Sequence, residues 1–123
     1  MEWREKSVLI AEDEDTNFML LVEYLESTGI QIHRASNGKQ AVDFCLNNKP
    51  DIILMDMKMP VMSGYEAVEK LRSMEISIPV LAQTAYTMMG DKEKIIQCGC
   101  DDYLAKPIEE EMLILKMSKY LEL

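Results

Sequence analysis

Positive charge is scarce in this chain. Its 13 Lys and Arg stand against 22 Asp and Glu, a formal net charge of −9. A surface of that sign repels a phosphate backbone, which argues against direct nucleic-acid binding. Long apolar runs are missing as well. Nothing approaches the roughly 20 residues of a membrane helix, so no membrane association is expected. The opening residues, Met-Glu-Trp-Arg-Glu-Lys, are charged and lead into no stretch long enough for a signal peptide. Cysteine is limited to Cys45, Cys98 and Cys100. An odd count without a secretory signal reads as reduced thiols in a cytoplasmic setting. Cys98 and Cys100 have no second pair of ligands nearby in sequence, and tetrahedral zinc needs four. His33 is the only histidine. It falls in a strand-like stretch far in sequence from the acidic residues, where a surface role is expected and not that of a general base.

What remains is a length of 123 residues, enough for one domain spanning 1–123. Strand and helix patterns alternate throughout. Ser7 to Ala11 is a short apolar run ending in Glu12-Asp13-Glu14-Asp15. Phe18, Leu21, Val22 and Leu25 follow at helical spacing, and Gly29 supplies a stop. Ile30 to Arg34 reads as a second strand, less apolar and so nearer an edge. Asn37-Gly38 opens a helix with Ala41, Val42, Cys45 and Leu46 on its inner face, closed by Pro50.

Asp51 to Met55 is apolar without alternation, as in a strand covered on both faces, and ends at Asp56. A loop with Pro60, Ser63 and Gly64 leads to a helix carrying Tyr65, Val68 and Leu71. Ile78 to Ala82 is a fourth strand, ending near Thr84. A polar helix with Ile95 and Ile96 is closed by Gly99. Asp102 to Ala105 is a fifth strand. It runs into Lys106-Pro107, a dipeptide that can adopt the cis form, and a last helix with Ile108, Met112 and Leu115 on one face. Strict alternation of this kind means an α/β fold, a parallel sheet with helices on both sides. At this length the flavodoxin-like (βα)5 doubly wound sheet, strand order 2-1-3-4-5, is expected.

Ligands of such sheets bind beyond the carboxyl ends of the strands. Glu12-Asp13 ends the first strand and Asp56 the third. If those strands are neighbours, three carboxylates share one crevice. Like charges so close cannot all ionise without penalty, unless a hard cation such as magnesium joins them. Thr84 ends the fourth strand and Lys106 follows the fifth. Three acids, a hydroxyl and a lysine suit a phosphoryl group. Asp56 would attack phosphorus, Lys106 would pair with one phosphoryl oxygen and Thr84 would donate to another.

Leu9-Ile10-Ala11-Glu12-Asp13, Met55-Asp56-Met57-Lys58-Met59-Pro60 with Ser63-Gly64, Thr84-Ala85, and Asp102-Tyr103-Leu104-Ala105-Lys106-Pro107 resemble the receiver domains of two-component signalling. The resemblance spans nearly the whole chain in order and spacing. The stretch from Thr84 to Ile108 looks most like receivers of hybrid sensor histidine kinases, which favours an origin at the end of a larger protein over a stand-alone regulator. The resemblance implies that Asp56 is the phosphoacceptor and that a histidine kinase or histidine phosphotransfer protein supplies the phosphoryl group, with a downstream output domain or protein reading the result. It implies Mg2+ as cofactor, held by Asp13, Asp56 and the main-chain carbonyl of Lys58, with Glu12 acting through a water. Thr84 is then the switch hydroxyl, Lys106 the phosphate-pairing lysine and Tyr103 the aromatic that follows Thr84. Phosphorylation would alter the surface of the fourth helix, fifth strand and fifth helix. Lys58 and Tyr86 would tune phosphate lifetime, bulky Tyr86 slowing the entry of water.

Other chemistries on related scaffolds fit less well. A phosphatase of the haloacid dehalogenase class wants an Asp where Lys58 stands, and a flavin phosphate would be repelled by Glu12 to Asp15. A receiver reduced to an interaction module would not need all five of these side chains. The 11 methionines read as adaptable packing. Glu109, Glu110 and Glu111 suit a helix N-terminus, and Trp3 has no evident role.

Overall fold

The structure is a computed structural model and describes residues 2–85 and 90–122. Five strands form one parallel sheet: β1 (Ser7–Ala11), β2 (Gln31–Ala35), β3 (Ile52–Asp56), β4 (Val80–Thr84) and β5 (Asp102–Ala105). Their order is β2-β1-β3-β4-β5, as the alternation predicts, with β2 at an edge. The connecting helices are α1 (Asp15–Leu25), α2 (Gly38–Asn47), α3 (Gly64–Ser73), α4 (Asp91–Cys98) and α5 (Glu110–Leu121).

The pleat divides the apolar residues of each strand between two cores. Leu9, Ile53, Met55, Val80 and Ala82 pack with Val42, Val68, Leu71 and Ile95, beneath α2, α3 and α4. Val8, Ile10, Ile52, Leu54 and Leu81 pack with Leu21, Leu25, Leu113 and Met117, beneath α1 and α5. All five residues of β3 are buried, which is why that strand reads as an unbroken apolar run.

Local signals start the helices. Asn37 Oδ1 accepts the Gln40 backbone N–H at 2.8 Å to begin α2. At α3, Ser63 Oγ accepts from Glu66 N and Glu66 Oε1 accepts from Ser63 N, both at 3.2 Å, a reciprocal capping box.

The helix faces depart from expectation in two places. Leu46 is 56% exposed and not on the inner face of α2, where Ala41, Val42 and Cys45 are buried. In α5 the buried stripe is Leu113, Met117 and Leu121. Ile108 is buried ahead of the helix, while Met112 and Leu115 are exposed. The segment Met112 to Met117 is apolar on more than one side, so periodicity permits several stripes and the sheet selects one. One strand start moves as well: β4 begins at Val80, after Pro79, and not at Ile78, while it ends at Thr84 as expected. The other expected strands lie within one residue of those observed.

Candidate functional site

The β1–β3 and β3–β4 registers set the site. Ala11 lies opposite Met55 and Asp56 opposite Gln83. Glu12 follows directly from β1, so the ends of the two central strands bring Glu12, Asp13 and Asp56 together. Each can offer a carboxylate oxygen, and those oxygens lie within 4.8 Å of one another. Glu12 is fully buried and Asp56 nearly so, whereas Asp13 is exposed.

Each side chain is held by local structure. Glu12 N donates to Ala35 O at 3.0 Å on the neighbouring strand. Its Oε2 accepts from Glu14 N at 3.2 Å, and its carbonyl accepts from Arg34 Nε at 3.1 Å. Asp56 Oδ1 accepts from Lys58 N at 3.1 Å. Lys106 N donates to Thr84 O at 2.8 Å, which fixes the start of the turn after β5, and the following Lys106–Pro107 peptide is cis. From that turn Lys106 Nζ reaches 3.1 Å from Asp56 Oδ2 and 3.5 Å from Glu12 Oε1.

Close packing under Asp56 requires Gly64. A Cβ there would lie 2.4 Å from Asp56 O and 2.7 Å from Met57 Cα, backbone atoms that cannot step aside. Gly64 N in turn donates to Met57 O at 3.2 Å. The Ser63-Gly64 pair therefore starts α3 and lets it approach the acidic strand end.

The electrostatics are unbalanced in favour of negative charge. Burial, then the neighbouring Asp56 carboxylate, pushes the Glu12 carboxyl up to about 7. Burial works against the charge of Lys106, but Asp56 and Glu12 outweigh it and hold its pKa above the ordinary value. One ammonium thus faces two buried carboxylates and a nearby third. Oxygen donors converging with too little positive charge are what a hard divalent cation takes, so the residues present fit magnesium.

The site opens into a cavity of about 450 Å³ whose lining includes Asp13, Asp56, Lys58, Gln83, Thr84 and Lys106. Thr84 and Lys58 therefore stand where the sequence places them, beside Asp56. Tyr103 lies opposite Ala82, and Thr84 opposite Ala105. By the alternation of strands, Tyr103 and Thr84 share one face of the sheet, one step apart. Tyr103 is half-buried, with Lys116 Nζ 4.7 Å from its ring centre. Tyr86 lies outside the described residues.

Two residues of note were missed. Gln83 is fully buried, and neither of its side-chain polar atoms has a hydrogen-bond partner. It lines both the main cavity and a small one of about 50 Å³ beneath Lys106, large enough for water. Its position between Ala82 and Thr84 in an apolar strand was the available signal. Trp3 has a role after all: it is buried, and its Nε1–H donates to Glu122 Oε2 at 2.8 Å.

Comparison with known proteins agrees with this geometry. The family described as "Response regulator receiver domain" matches residues 8–118. The polar-differentiation response regulator DivK of Brucella anthropi is 40% identical over 118 residues, covering 94% of this chain and 96% of that protein. The receiver domain of the sensor histidine kinase PA1611 from Pseudomonas aeruginosa, solved with a magnesium ion in its active-site cleft, superposes with a TM-score of 0.88 at 32% identity, over 96% of this chain and 98% of that one. The receiver of Saccharomyces cerevisiae Ssk1, solved with the histidine phosphotransfer protein Ypd1, gives 0.89 at 31% identity, over 94% and 88%.

Proposed function

The chain belongs to the response-regulator receiver family, and on that premise we propose that Asp56 is the residue that takes the phosphoryl group. Receivers are phosphoacceptor switches and not turnover enzymes, and this chain carries the acidic cluster that magnesium-dependent phosphorylation uses. The observation that supports Asp56 is its position. Of the trio of carboxylates at the strand ends, it is the one that both pairs with the Lys106 ammonium, at 3.1 Å, and lines the open cavity; Glu12, at 3.5 Å from the same ammonium, does not line it.

In the proposed reaction an Asp56 oxygen attacks the phosphorus of a phosphohistidine. The P–N bond breaks, its electron pair returns to the imidazole nitrogen, and that nitrogen takes up a proton. Lys106 pairs with a phosphoryl oxygen and offsets the charge that develops there. Thr84 donates its hydroxyl to another oxygen. Asp13, Asp56 and the Lys58 carbonyl would hold magnesium directly, and Glu12 through a water. When bound, magnesium supplies the positive charge that lets carboxylates and phosphoryl oxygens share the crevice.

The phosphoryl group adds charge of roughly −1.5 to −2 on ordinary side chains, together with strong acceptors. Drawn toward it, Thr84 would leave space on the sheet face it shares with Tyr103, and Tyr103 would turn into that space. The α4–β5–α5 surface would change with it. Lys58 and Tyr86 would set how readily water reaches the acyl phosphate. The donor is a histidine kinase or a histidine phosphotransfer protein. This reading is supported by relatives of both settings, one receiver from a sensor kinase and one solved with a phosphotransfer protein. Residues 1–123 act as one receiver unit, with its output partner a separate domain or protein. Among the described residues no helix is long and apolar enough to cross a membrane.

Labelling with acetyl phosphate and magnesium tests the assignment. The native protein should gain one acid-stable, base-labile phosphoryl group, and Asp56→Asn should gain none. Unchanged labelling of Asp56→Asn overturns it. Tyr103→Ala should still be labelled, while its α4–β5–α5 resonances respond less to beryllium fluoride.

A further inference from the structure

Away from the acidic rim, at the turn joining α4 to β5, two thiols are in contact. Cys98 Sγ and Cys100 Sγ lie 3.7 Å apart, both side chains buried. The turn between them is built by Gly99, in the left-handed region at φ 114°, where a side chain would be strained. Gly99 N donates to Ile96 O at 3.1 Å and Cys100 N to Ile95 O at 3.2 Å, which folds the chain back so that residues two apart face each other.

Arg72 of α3 locks this arrangement. Its Nε donates to Gly99 O at 3.0 Å, and one terminal nitrogen donates to Ile76 O and Ile78 O at 2.7 and 2.9 Å. Its other terminal nitrogen sits 3.1 Å from Asp101 Oδ2. A side chain at Gly99 would also strike Arg72 Cγ, at 2.7 Å. The thiols are therefore positioned by a fixed turn and not by chance rotation of a mobile loop.

We propose that Cys98 and Cys100 form a dithiol modification site, which a low-molecular-weight disulfide such as oxidised glutathione converts to an intramolecular disulfide. A disulfide places its sulfurs about 2.05 Å apart, so closure draws together two sulfurs already in contact across the Gly99 turn. Cys98 is the entry point. It lines an open cavity of about 540 Å³ together with Tyr65, Glu69, Lys94 and Gln97. Its thiol is lowered to about 7, chiefly by the hydrogen bond from Cys100, while the Cys100 thiol is held well above its ordinary value. That division makes Cys98 the attacking thiolate and Cys100 the resolving thiol.

The chemistry balances in two exchanges. The Cys98 thiolate attacks one sulfur of the small disulfide, whose S–S bond breaks and releases one small thiolate. Cys100 then loses its proton to solvent and attacks Cys98 Sγ, releasing the second. Two protein thiols and one small disulfide become one protein disulfide and two small thiols, the protein being oxidised by two electrons. The bridge ties the last residue of α4 to the entry of β5. This site shares no residue with the phosphoacceptor assignment and stands or falls separately from it.

Equilibration of the full-length folded protein in reduced and oxidised glutathione, followed by alkylation and peptide mass analysis, tests the proposal. Of the three thiols, one should remain alkylatable at the oxidising end. The peptide carrying Cys98 and Cys100 should be lighter by two hydrogens, and Cys45 should stay free. In Cys100→Ser a glutathione adduct should accumulate on Cys98, because nothing resolves it. Three free thiols under oxidising conditions would overturn the proposal. So would a stable Cys98 adduct in the native protein, or disulfide-linked dimers in place of the internal bridge.

Discussion

At the end of the sheet where strands begin, Asp51 accepts the Ser7 backbone N–H at 2.8 Å and Asp101 accepts that of Val80 at 2.8 Å. Asp101 is also 3.1 Å from Arg72. These carboxylates cap strand starts, and their charge is met by donors. At the end where strands finish, oxygens of Glu12, Asp13 and Asp56 crowd within 4.8 Å of one another, and the Lys106 ammonium is divided between Glu12 and Asp56. The same residue types thus do opposite work. At one edge each acid satisfies a backbone group that would otherwise lack a partner. At the other, the acids are left in mutual repulsion, an arrangement that costs stability and gains affinity for a cation and a phosphoryl group.

Four substitutions or conditions sharpen that contrast. The largest effect is expected for Lys106→Ala. Losing the ammonium that lies 3.1 Å from Asp56 should slow acetyl-phosphate labelling by about 100-fold, measured as initial rates at saturating magnesium. A rate near that of the native protein would show that Lys106 does not face the phosphoryl group.

Next comes pH. In the metal-free protein Glu12 titrates near 7, up from 4.5. Between those values the folded state keeps a proton that the unfolded chain has released, so stability falls as pH rises through the window. The loss should be on the order of 1–3 kcal/mol. Urea midpoints on either side of the window, with Glu12→Gln as control, measure it. Glu12→Gln should lack the decline, and magnesium should flatten it in the native protein.

Asp101→Ala belongs to the other edge. It strands the Val80 N–H and removes a partner of Arg72, and should cost about 1–3 kcal/mol by urea denaturation while labelling proceeds at the native rate. A labelling defect would mean the two edges are not separable. The smallest effect is expected for Trp3→Phe, which keeps the ring but loses the bond to Glu122, at about 0.5–1.5 kcal/mol on the same denaturation curve.

Much of this was readable from the chain because the site lies where strands stop. The unbroken apolar run before Asp56 identifies a doubly covered strand, and the alternation of elements fixes its neighbours. From there the meeting of Glu12, Asp13, Asp56, Thr84 and Lys106 follows from topology. The helix faces were harder. Leu46, Met112 and Leu115 each sit in a pattern that satisfies helical spacing on more than one side, and only the position of the sheet decides. Gln83 was missed for a different reason. Its neighbours mark it as buried, but no pattern in the sequence says that a polar side chain there will lie under Lys106 without a partner. Trp3 bonds to a residue 119 positions away, beyond the reach of any local pattern.

The Trp3–Glu122 hydrogen bond has a practical consequence. It brings Trp3, ahead of the first strand, within a side chain's reach of Glu122, just past the last helix. A linker of a few residues would join these two positions, and the chain could then be reopened at an exposed loop far from the acidic rim. A circularly permuted version should fold with its phosphorylation chemistry intact, placing any fused reporter at a corner of one's choosing.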